Sequence, residues 1–107
     1  MTTFDDRERG YEAHFALDQE QEFKAQARRD RMIALWAGEK MGVAGDDLQN
    51  YVLAVMRADL KEPGDNDVFE KVLEDFEEKG VKGAGPELRA KMDEFLNIAR
   101  TEIRDGK

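Results

Sequence analysis

LRAKMDEFLNIARTEI, residues Leu88 to Ile103, decides the fold. Leu88, Met92, Phe95, Leu96, Ala99 and Ile103 recur at steps of three and four, which puts them on one face of a helix. Pro86 stands just upstream, at a position favoured in a first helical turn. A stripe this clean has to be covered by other helices, and the rest of the chain supplies three more.

Working back from it, GVKGAG (Gly80 to Gly85) is a glycine-rich break, and before it Val68, Phe69, Val72, Leu73 and Phe76 give a wide stripe. Asp67, followed three residues later by Glu70, is expected to form a capping box at its start. KEPGDND interrupts the chain, since Pro63 cannot continue a helix and Gly64 allows a sharp turn. A second helix is expected from about Asp46 to Leu60, capped by Asp46 or Asp47, with Leu48, Val52 and Val55 on one face and Leu53, Met56 and Leu60 beside them. The first helix is expected from about Asp18 to Met41, with Phe23, Ala27 and Ala34 on one line and Ile33, Ala37 and Met41 on another. MIALWA (Met32 to Ala37) is apolar nearly all round, so it is expected at the centre of the core with Trp36 as its largest member. Gly42 is its expected C-terminal cap. No strand-like alternation competes. The fold class is all-α, a compact four-helix bundle-like domain over residues 18–107.

The front of the chain does not fit inside that bundle. FDDRERGYEAHF (Phe4 to Phe15) carries Phe4, Tyr11 and Phe15 among charged residues, with Gly10 between them. A helix continued back to Phe4 would be roughly 57 Å long, against about 20–28 Å for the second, third and fourth helices. Its rings have no mate of sufficient length in the domain. Residues 1–17 are therefore expected to be a mobile segment that orders on an outside surface.

Composition narrows the function. The chain has 107 residues, one domain by length, and 25 acidic against 17 basic side chains give a net charge of −8. That balance opposes binding to nucleic acid or anionic lipid through the surface as a whole. There is no cysteine, which excludes disulfides, thiolate metal sites and cysteine nucleophiles. No apolar run approaches membrane-spanning length and the N-terminus has no signal-peptide core, so a cytoplasmic protein is expected.

The motifs with chemistry in them read as structure. His14 is the only histidine, and nothing in its spacing makes a catalytic triad or a metal site. DNDVFE (Asp65 to Glu70) begins like a calcium loop but lacks the glycine and the downstream glutamate. GVKGAG has neither the lysine-serine ending of a P-loop nor a strand before it, and reads as a connector. Glu77 and Glu78 lie on a solvated face rather than in a pocket that would raise a pKa. Lys24, Arg28 and Arg31 share a helical face, Arg29 points elsewhere, and Asp30 partly neutralises the group. Residues 46–80 hold eleven acidic and four basic side chains, so internal docking of that face is expected before nucleic-acid binding. The residues alone point to a binding module and not an enzyme.

FDDRERGYEAHFALDQEQEFKAQARRDRMIALWAGEKMG, with ADLKEPGDNDVFEKV and RAKMDEFL, closely resembles the ζ subunit of alphaproteobacterial F1FO-ATP synthases, over essentially the whole chain. Asp30 stands where that family usually has asparagine, and Gly10 and Gly38 where alanine is common. The resemblance implies a four-helix regulatory protein, peripheral to the inner membrane through F1. Its N-terminal segment would enter a catalytic α/β interface of the F1 head, reach toward the γ shaft and block hydrolytic rotation. By motif position Phe4, Arg7, Arg9, Tyr11, Glu12, His14 and Phe15 would be the partner-binding residues. It also implies weak purine-nucleotide binding, for which no motif here locates a site; no other cofactor or metal is expected, and the free protein is expected to be monomeric. The competing reading is a nucleotide-responsive helical adaptor without catalytic activity.

Overall fold

Asp18 begins the folded body with a reciprocal pair of hydrogen bonds. Its Oδ1 accepts from the Gln21 amide at 2.7 Å, and Gln21 Oε1 accepts from the Asp18 amide at 3.1 Å. This capping box satisfies two donors that a helix start leaves open, and it fixes the start of α1 (Gln19–Met41). The computed structural model describes residues 17–59 and 66–107. Among these are α2 (Gly45–Ala58), α3 (Asn66–Glu78) and α4 (Gly85–Arg104), and no strand.

Glycine closes α1 as the sequence predicts. Gly42 takes a left-handed φ of 77°, which a side chain would resist, and the turn lets Val43 N–H reach back to Gly38 O at 2.8 Å. Gly80 does the same after α3 (φ 78°), where Val81 N–H donates to Phe76 O at 2.8 Å. The loop that follows is a connector with anchors, because Val81 packs against the core and Ala84 is buried in it. Pro86 lies in the first turn of α4, where its missing N–H costs nothing.

Two expected caps are corrected. The N-cap of α2 is Ala44, with no side-chain bond, and Asp46 and Asp47 lie in the first turn, where their charge favours the helix dipole. α3 begins at Asn66, so Asp67 is a first-turn residue and not the cap. The second helix ends at Ala58, with Asp59 as its C-cap; Leu60 lies outside the described residues.

α1 is the axis of the assembly. It packs on all three other helices, and α3 packs on both α2 and α4. The core is Ile33, Ala34 and Ala37 from α1, Val52 and Val55 from α2, Val68, Val72 and Phe76 from α3, and Leu88 and Met92 from α4. The stripes of α3 and α4 are thus used as expected.

The expected centre holds in Ile33, Ala34 and Ala37 but not in Trp36. Trp36 is half-buried at the rim and meets Phe76 edge-on, with ring centroids 5.7 Å apart. Phe76 is the largest fully buried apolar side chain. Small residues explain this. Ala34, Ala37 and Gly38 form the face of α1 that turns inward, so neighbouring helices approach closely, and Trp36 is rotated to the edge.

The Phe23 line is also displaced. α2 and α3 cover only part of α1, and along the first half of α1 the buried face carries Ala25, Arg29 and Asp30. There α4 is the neighbour, contributing the buried Ala99, and two ion pairs cross between the helices. Arg100 grips Glu22, its Nε 3.1 Å from both carboxylate oxygens, and Arg28 reaches Glu102 at 3.0 Å. The bond from Arg100 holds the Glu22 carboxyl below its ordinary range. Phe23 is left outside.

Candidate functional site

The seven residues expected to bind a partner, Phe4, Arg7, Arg9, Tyr11, Glu12, His14 and Phe15, lie outside the described residues. The described residues that follow them in the chain begin with Leu17 and the Asp18 cap of α1. Asp18 itself is extended (φ −73°, ψ 175°), so the backbone leaves the helical path immediately before α1.

An open groove of about 310 Å³ lies between α1 and α2, lined by Phe23, Ala27, Asp30, Leu53, Met56, Arg57 and Asp59. Helical spacing makes it: Phe23, Ala27 and Asp30 fall on one side of α1, and Leu53, Met56 and Arg57 on the facing side of α2. Phe23 is 64% exposed and Leu53 50%, an unusual state for large apolar side chains.

Two of the lining residues, Asp30 and Asp59, belong to a charged trio with the buried Arg29. Arg29 and Asp30 are each 1% exposed, and Arg29 Nε donates to Asp30 Oδ1 at 2.6 Å. Asp59, at the end of α2, brings its Oδ1 to 4.0 Å from Arg29 Nη2, with its own side chain 14% exposed. Burial pushes the Asp30 carboxyl up to about 8, and the neighbouring Asp59 pushes the same way; Arg29 pulls down and is outweighed.

Arg29 points away from the Lys24 face as expected, and does so inward; Asp30, expected to neutralise that face, is interior and pairs with Arg29 instead. A signal existed. Ala25 precedes Arg29 by one turn and Ala99 faces this half of α1, so small residues frame a space that a long side chain fills.

The basic face dissolves into internal contacts. Lys24 pairs with Glu20 on its own helix at 3.5 Å, and Arg28 spans Glu102 and the Lys107 carbonyl, at 3.0 and 3.3 Å. Arg28 thus docks on α4 and not, as expected, on the acidic stretch 46–80. The buried Arg29 meets that stretch through Asp59. Among the described residues no acidic or histidine cluster could hold a metal ion, and no helix is long and apolar enough to cross a membrane.

The sequence matches the family model for ATPase inhibitor subunit zeta over residues 1–102. A protein solved by solution NMR shares 36% identity with this chain, covering 81% of this chain and 99% of its own, and superposes with a TM-score of 0.69. No curated protein matches.

Proposed function

Because the chain belongs to the ATPase inhibitor subunit zeta family, we propose that residues 1–17 are its inhibitory element and residues 18–107 the body that carries it. Membership makes the protein a regulatory inhibitor subunit of the ATP synthase F1 sector and not an enzyme. In the proposed mechanism the segment enters a catalytic α/β interface of the F1 head and reaches toward γ. It then blocks rotation in the hydrolytic direction.

The physics asks for no chemistry from the inhibitor. A wedge stops a rotary catalyst if it binds one conformation better than the next, so that leaving that conformation costs the binding energy. Phe4, Tyr11 and Phe15 fill apolar pockets of the cleft, each worth roughly 1.5–3 kcal/mol when buried. Arg7 and Arg9 pair with carboxylates or backbone carbonyls of the head. Glu12 and His14 lie between these anchors in sequence and share the inserted stretch.

The observation that carries the reading is the extent of the family match. It begins at residue 1 and so takes in the aromatic segment as well as the bundle. The bundle in turn buries the stripes of α3 and α4 within itself.

A photo-crosslinking residue placed at Tyr11 in the assembled ATP synthase tests it. The expected adduct is to an α or β subunit at a catalytic interface. Adducts from a probe at Thr101 on α4 with none from Tyr11 would overturn the reading.

A further inference from the structure

The two most exposed large apolar side chains among the described residues, Phe23 and Leu53, line the same groove. We propose that in the free protein this groove holds the chain's own residues 4–15, with Phe15 and Tyr11 laid over Phe23, Leu53 and Met56. The ATPase then competes with the groove for the same rings. Only that competition rests on the function proposed above; the docking itself does not.

Reach permits it. Asp18 is extended, and from it Phe23 lies about 7.5 Å along α1 and Asp30 about 18 Å. Phe15 precedes Asp18 by three residues and can reach about 10 Å; Tyr11 precedes it by seven and can reach about 23 Å. A chain that turns back at Leu17 therefore covers the whole groove. Phe4 has length to spare.

Chemistry matches as well. The groove offers an aromatic ring, a leucine and a methionine sulfur, surfaces on which aromatic rings pack well. Arg57 lies on its α2 side, where Glu12, next to Tyr11 in sequence, finds an opposite charge. Tethering favours this occupant over any free partner. A short linker supplies an effective concentration on the order of millimolar, so a contact too weak to hold a separate peptide is still populated. The same weakness lets a tighter host displace it.

Absence of cysteine makes the test direct, since one introduced thiol carries one spin label. Gln49→Cys places a nitroxide on exposed α2 surface, one turn before Leu53; Thr101→Cys places it on α4, outside the groove. With the full chain free in solution, the label at 49 is expected to broaden the amide resonances of residues 4–15 at least threefold more than the label at 101. Excess unlabelled protein is expected to leave that broadening intact. Phe23→Ser with Leu53→Ser, both surface changes, is expected to remove it while the helical circular dichroism stays constant. Equal or negligible broadening from the two labels would overturn the proposal. So would broadening relieved by unlabelled protein, which would make the occupant a second copy. No ATPase is in the sample, so either result stands apart from whether the segment inhibits.

Discussion

Arg29 and Asp30 are sequence neighbours that meet inside the bundle, the guanidinium Nε 2.6 Å from the carboxyl Oδ1, both shielded from water. Adjacent residues on a helix point about 100° apart, so the contact needs both side chains to fold toward the gap between α1 and α2. Asp59 closes that gap from the end of α2. Burial, and Asp59 beside it, raise the hold of the Asp30 carboxyl on its proton, against the pull of Arg29.

That proton makes stability depend on pH in a stated direction. The Asp30 carboxyl sits near 8 in the folded protein against an ordinary 3.8, so between those values the folded state binds more protons than the unfolded one. Its contribution to stability is full below about pH 4 and is lost as pH rises toward 8 and above. Asp30→Asn imitates the protonated form without titrating. The variant is expected to be more stable than the parent at pH 8 by roughly 1–3 kcal/mol, with the difference shrinking toward pH 5. Thermal melts at both pH values check it. Asp30→Ala has the opposite effect, because the buried Arg29 Nε loses the oxygen that accepts its hydrogen bond; about 1–3 kcal/mol of stability is expected to go.

Phe76→Ala is expected to cost about 3–5 kcal/mol, since the ring is completely buried and leaves a cavity where α1, α3 and α4 meet. Trp36→Ala removes a larger side chain, yet is expected to cost about half as much, because that ring is only partly buried. Urea unfolding of the two variants ranks them.

Gly38→Ala poses two opposed effects. Alanine is favoured over glycine in a helix by about 1 kcal/mol. A Cβ at position 38 would come to 2.5 Å from Leu48 Cδ1. That methyl ends a flexible, half-buried side chain at the start of α2, so it can rotate away. A melting temperature higher by about 2–5 °C is the expected result.

Much of this was legible in the chain. The stripes of α3 and α4, the stops at Gly42 and Gly80 and the Asp18 start are local signals, and local physics decided them. Trp36 and Phe23 were misplaced because periodicity tells which residues share a face, not which face the neighbours cover. A run that is apolar all round gives no direction; Ala34, Ala37 and Gly38 chose it by letting helices come close. The Arg29, Asp30 and Asp59 trio was illegible for another reason. Charged residues are read as solvated, and only the alanines around this half of α1 hint otherwise.

For the proposed inhibitory element, Phe4→Ala, Tyr11→Ala and Phe15→Ala are each expected to weaken inhibition of ATP hydrolysis roughly tenfold to a hundredfold, with only a small change in melting temperature, since the groove contact is weak. Inhibitor titrations against cognate F1, paired with thermal melts, separate a lost anchor from a damaged fold.

The most direct measurement compares the full chain with a form lacking residues 1–17, each titrated into cognate F1 while hydrolysis is followed. The shortened protein, still beginning at the Asp18 cap, is expected to keep its helical circular dichroism and lose inhibition. Inhibition by the shortened form equal to that of the full chain would contradict the account and place the inhibitory surface on the four helices themselves.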